Sequence, residues 1–67
     1  MDSVVGATGV VIVAIRGHAG PGEVLIRSTG GSQTYLARSD EPIDKGASVF
    51  VVADLGGRTV SVIPFSA

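Results

Sequence analysis

Few side chains in this chain are equipped for chemistry. Its 67 residues include one histidine, His18, and no cysteine or tryptophan. A catalytic zinc site takes three protein ligands, and no carboxylate pair near His18 has ligand spacing. The residue lies in the Gly/Pro-rich stretch Gly17-His18-Ala19-Gly20-Pro21-Gly22 and reads as an exposed loop histidine. Asp40, Glu41 and Asp44 form the one acidic cluster. Such a cluster suits a weak cation or an acid/base pair, but the alternating acids of a calcium loop are absent. Carboxylates also belong at the positive end of a helical turn. That is the reading adopted here, with cation binding by these three acids left open. Gly6-Ala7-Thr8-Gly9 lacks the Gly-Lys-Ser/Thr of a phosphate-cradling loop and is followed by a strand, so it reads as a strand bend. No Gly-x-Ser-x-Gly occurs. With no cysteine and one loop histidine, a Ser/His/Asp or Cys/His site has no components. No catalytic, cofactor-binding or metal-binding residue is assigned, and the expected function is non-enzymatic.

Nucleic-acid binding needs several cations for phosphates and aromatic platforms for bases. Arg27 and Arg38 are the mid-chain cations on candidate strands, Tyr35 shares a phase with Ala37 and points inward, and the net charge is −1. A nucleic-acid-binding domain is carried only as the alternative function.

The elements that position these residues follow from composition. Val, Ile and Thr together make 20 of the 67 residues, Leu only 3, and Gly 10. β-branched side chains favour a pleated, half-buried surface, and glycines supply turns between short strands. The chain is therefore expected to be all-β. At this length it buries only about 60% of its unfolded surface, so its stability is modest. The longest apolar run, Val10 to Ile15, is six residues, against the ~20 of a spanning helix. No membrane insertion by this segment is expected. Met1-Asp2-Ser3 is not a basic signal start, and an early first strand suits a domain cut from a longer parent.

Five strands are expected: Val4 to Arg16, bent at Gly6 and Gly9; Glu23 to Ser28; Gln33 to Arg38; Ala47 to Asp54; and Arg58 to Ile63, stopped by Pro64. Thr29-Gly30-Gly31-Ser32 and Gly56-Gly57 are hairpin turns. Asp40 caps a short helical turn running to Lys45, Pro42 suits its start, and Gly46 ends it. Alternation predicts a core of Val24, Ile26, Tyr35, Ala37, Val49, Val51, Val60 and Val62. A meander of three, a short connection and a hairpin match the order of a small five-stranded antiparallel OB-fold barrel. It forms one domain over 1–67, with its core about 4–64. An SH3-like barrel is the alternative. Pairing of the first strand with the fourth separates the two.

The strings VVGATGVV, PGEVLI, TYLARSDEPIDKGASVFVV and GGRTVSVIP, in this order, resemble the C-terminal soluble domain of the NfeD-like family. The matching positions are Gly6, Gly9, Gly22, Val24, Tyr35, Ala37, Ile43, Gly46, Val49, Val51, Val52, Val60, Val62 and Pro64. The stretch Gly17 to Pro21 departs from the family's usual Pro-x-Gly connection. The resemblance implies an OB-fold barrel carried behind transmembrane helices in the bacterial cytoplasmic membrane, facing the cytoplasm. It also implies stomatin- or flotillin-like protein partners. The matched positions are structural, so no catalytic residue is carried over.

Leu25, Leu36, Phe50, Val52 and Ile63 fall in the outward phase. Leu25, Arg27, Leu36 and Arg38 are expected to form one exposed patch, apolar at its centre and basic at its rim, the layout of a modest protein interface. Self-association is a second use for such a face.

Overall fold

The computed structural model describes residues 4–28 and 30–65. Among them seven strands appear: β1 (Thr8–Val13), β2 (Ile15–Arg16), β3 (Gly22–Ser28), β4 (Gly31–Arg38), β5 (Pro42–Ile43), β6 (Ser48–Gly56) and β7 (Thr59–Pro64). A 3-10 turn covers Gly17–Ala19. Five strands close a barrel in the order β1-β3-β4-β7-β6. The expected first strand pairs with the fourth through Thr8–Phe50, Gly9–Val49 and Val10–Ser48, which is the OB order and not the SH3-like one. Four seams are antiparallel; β4 and β7 run parallel through Leu36–Thr59, Ala37–Val60 and Arg38–Ser61. The expected all-antiparallel barrel is thus a mixed one. A closed ring of five strands cannot alternate direction all the way round, so one seam has to be parallel.

The core lies inside this ring. Val11, Ile15, Val24, Ile26, Ala37, Ile43, Val49, Val51, Val60 and Val62 are buried in one cluster. Seven of the eight expected core residues are among them. Tyr35 is the exception: it is half-buried and packs against the cluster from its edge. Val11, Ile15 and Ile43 extend the core beyond the expected set.

The first strand and the connection after the third strand also differ from expectation. The first strand is not continuous from Val4. Ala7 N–H donates to Val4 O at 3.1 Å, and Gly6, with φ +93°, sits inside that turn. Past Thr8 the strand shifts register between Val11 and Val13 and breaks at Ala14. The short helical turn at Asp40 to Lys45 is absent. In its place β5 pairs Ile43 with Ile15 and Pro42 with Arg16. Ile43 is the only aliphatic side chain between Ser39 and Gly46. A lone turn of helix carries the full cost of nucleation, whereas an extended bridge buries Ile43 against Ile15. Asp40 therefore caps nothing helical. Ser39 Oγ instead accepts from Glu41 N–H at 3.3 Å. Gly46, φ +92°, is the third residue of a tight turn closed by Ala47 N–H to Asp44 O at 3.2 Å, the place where a type II turn requires positive φ.

The turn expected at Thr29–Ser32 includes Thr29, which lies outside the described residues; Ser28 and Gly31 on either side are paired. The second hairpin turns one residue later than expected. Gly56 pairs with Thr59, so Gly57 and Arg58 are its central residues, with φ +60° and +57°. That is the pattern of a type I′ turn. Gly22 serves close approach: a Cβ there would lie 2.2 Å from Val13 O and 2.6 Å from Ala14 O.

Candidate interaction surface

The outer face of β3 carries Glu23, Leu25 and Arg27, because Val24 and Ile26 between them are buried. The outer face of β4 carries Thr34, Leu36 and Arg38, flanking buried Ala37. The ladder pairs Leu25 with Thr34 and Glu23 with Leu36. Leu25 and Leu36 are therefore diagonal neighbours, about 7–8 Å apart in such a sheet, and Glu23 and Thr34 fill the other diagonal. Leu36 is 46% exposed, while Leu25 is half-buried. Arg27 and Arg38 stand at opposite ends of this face, both exposed.

The members of the expected patch are divided among three depressions. Leu36 shares one of about 220 Å³ with Glu23, Tyr35 and Arg58. Leu25 and Arg27 line another, of about 360 Å³, together with Val10 and Phe65. Arg38 lies beside His18, Asp40 and Ser61 in a polar depression of about 170 Å³. The outward phase of β6 and β7 adds more apolar surface: Val52 and Ile63 are exposed, and Phe50 stacks on Phe65 with ring centroids 6.3 Å apart.

Alternation points Tyr35 inward with Ala37. Its ring instead sits at the barrel edge under Arg58, whose guanidinium carbon is 5.1 Å from the ring centroid. The same guanidinium donates to Thr34 O at 3.2 Å and to Gln33 Oε1 at 3.3 Å. One face of Tyr35 is thus occupied, and the cation nearest an aromatic ring is committed within the fold.

The acids Asp40, Glu41 and Asp44 are all exposed. Among the described residues no three His, Asp or Glu side chains converge on a geometry that could hold a metal ion. His18 is exposed on the 3-10 turn. Gly9, of the stretch Gly6-Ala7-Thr8-Gly9, lies in β1 between Ile26 and Val49. No helix among the described residues is long and apolar enough to cross a membrane.

Val10 and Phe65 did not stand out in the sequence. Val10 could have been found from Val11, whose burial sends its neighbour outward by simple alternation. Phe65 lies past Pro64, the last residue of β7, where strand alternation gives no direction.

The family model of the NfeD C-terminal domain matches residues 8–63, from the first residue of β1 to the penultimate residue of β7. The chain belongs to the NfeD C-terminal domain family. Solved NfeD domains share its fold. The soluble domain of the NfeD protein YuaF from Bacillus subtilis is 34% identical with a TM-score of 0.79, covering 96% of this chain and 76% of that one. The C-terminal domain of stomatin operon partner protein 1510-C from Pyrococcus horikoshii is 27% identical with a TM-score of 0.73, covering 96% and 91%. No curated protein matches the chain. The all-β barrel and the NfeD resemblance expected from the sequence both hold. In this NfeD domain most of the positions that carried the resemblance are core or turn residues.

Proposed function

We propose that this NfeD domain is a non-catalytic protein-interaction module of a membrane-anchored parent, facing the cytoplasm, and that it binds membrane-associated proteins of the stomatin or flotillin type. The observation that supports this most directly is Leu36, 46% exposed beside half-buried Leu25 on the outside of β3 and β4. Contiguous apolar surface on a small domain marks a place for a partner, and cations at the ends of the face, here Arg27 and Arg38, suit an interface rim. The Pyrococcus relative is named a stomatin operon partner, which puts stomatin-type proteins first among the candidates.

The test is titration of the isotope-labelled domain with a stomatin-like protein of the same organism held in lipid vesicles. Leu25→Asp and Leu36→Asp are each expected to weaken binding about tenfold, near 1.4 kcal/mol, while the melting temperature stays close to that of the parent. Unchanged affinity in both variants overturns the reading. A parallel titration with a single-stranded oligonucleotide at low salt is expected to be silent. Shifts centred on Arg27, Tyr35 and Arg38 that fade steeply with salt would turn the conclusion toward nucleic acid.

A further inference from the structure

We propose that a slot on the outside of β1, between Leu25 and Phe65, receives a linear segment of a partner protein that carries an apolar residue and an acidic residue two positions apart. The proposal deepens the protein-interaction reading and rests on it.

The slot follows from register. Val10 pairs with Leu25 on one side and Ser48 on the other. Phe65 N–H donates to Ser48 O at 2.9 Å, which sets Phe65 alongside Ser48. The row across the outside therefore runs Leu25, Val10, Ser48, Phe65. The short Ser48 side chain between larger neighbours leaves a depression of about 360 Å³. Val10 and Phe65 are 40% and 43% exposed within it. Phe65 is a steady wall because the ring of Phe50 stacks behind it.

The charge at the slot is as specific as its shape. Arg27 lines it too and lies two residues along β3 from Leu25, on the same face. Two residues of strand span about 6.6 Å. A bound extended segment has the same period, so an apolar side chain seated in the slot over Val10 and Ser48 puts the residue two positions away on the row of Arg27. Among the described residues the Arg27 guanidinium makes no ion pair or hydrogen bond. A carboxylate on the segment would be that partner, accepting from the guanidinium. An anionic lipid surface fits less well, because such attraction is built from several cations and this slot has one.

The experiment titrates the nitrogen-15-labelled domain with an end-blocked serine pentapeptide bearing leucine at its second position and glutamate at its fourth. Saturable amide shifts are expected at Val10, Arg27, Ser48 and Phe65, with affinity in the millimolar range. The glutamine version of the peptide is expected to bind about threefold more weakly, the size of an exposed ion pair. Arg27→Gln should bind both peptides alike, and Ser48→Leu, which fills the slot, should bind neither while keeping a folded spectrum. The proposal is overturned by a flat titration up to about 20 mM peptide, or by equal binding of the two peptides to the parent domain. Peptide-independent, concentration-dependent shifts at these amides would reassign the slot to a second copy. Binding to phosphatidylglycerol vesicles that Arg27→Gln removes, without a peptide response, would reassign it to lipid. If the stomatin-like protein binds and the peptide does not, the slot proposal alone falls. If the peptide binds and that protein does not, the partner assignment alone falls.

Discussion

Arg58 reaches across the parallel seam of the barrel and covers the ring of Tyr35, 5.1 Å from guanidinium carbon to ring centroid. The seam has only three paired positions, Leu36–Thr59 to Arg38–Ser61. Arg58 lengthens it: its carbonyl accepts from Leu36 N–H at 2.9 Å, and its side chain donates to Thr34 O. It does so from a left-handed backbone conformation, φ +57°, which costs a non-glycine residue about 1–2 kcal/mol.

Two opposed effects at Arg58 can be separated. Arg58→Ala keeps the backbone strain and loses a cation–π contact of about 0.5–1 kcal/mol together with its hydrogen bonds. Arg58→Gly loses the same contacts but relieves the strain. The glycine variant is therefore expected to be more stable than the alanine variant by about 1 kcal/mol. Thermal melts of the two decide it, and the reverse order would remove backbone strain from the account.

Gly22 is expected to be the least replaceable glycine. A Cβ at Gly22 runs into the carbonyl oxygens of Val13 and Ala14, which belong to backbone and cannot swing aside. Gly22→Ala should cost at least about 2 kcal/mol, as an overpacked site does. Gly30→Ala, where an added Cβ meets nothing within 4 Å, should change stability by no more than about 0.5 kcal/mol. Urea midpoints for the pair test the contrast.

The extended bridge between β2 and β5 makes its own prediction. Ile43→Ala should cost about 2–5 kcal/mol, because Ile43 is buried opposite Ile15. Combined with Ile15→Ala, the double variant should show a coupling of at least about 0.5 kcal/mol. Additive losses would mean that the two side chains do not depend on each other.

Val51 and Val52 are adjacent in β6 but differ in fate. Val51 is fully buried, while Val52 is 42% exposed at a register shift. Val51→Ala should cost about 1–3 kcal/mol and Val52→Ala about 0.5 kcal/mol or less. In a domain of this size the first is a fall of roughly 4–8 °C in melting temperature for each kcal/mol. An unchanged melt for Val51→Ala would take that residue out of the core.

Alternation alone identified Val24, Ile26, Ala37, Val49, Val51, Val60 and Val62 as core. In a strand the side-chain period is two, so burying one residue dictates the direction of both neighbours. The same rule placed Leu25, Arg27, Leu36 and Arg38 outside. The β-branched and glycine-rich composition, with its spaced turn signals, was enough for a five-stranded barrel, and the ordered motifs were enough for the family. Local reading failed where a distant contact overrode a local preference. Ile43 is extended because Ile15 waits across the ribbon, not because of anything between Ser39 and Gly46. Tyr35 is only half-buried because it sits at the barrel edge, under an arginine 23 positions further along the chain. The tertiary structure likewise decided which outward residues are neighbours. Val10 and Phe65 come to stand on either side of Ser48 only once β1 closes on β6, and Leu25 and Leu36 turn out diagonal only once β3 and β4 choose their register. A strand's own sequence determines which of its side chains face out; strand pairing determines what stands beside them, and a binding surface is made of the second.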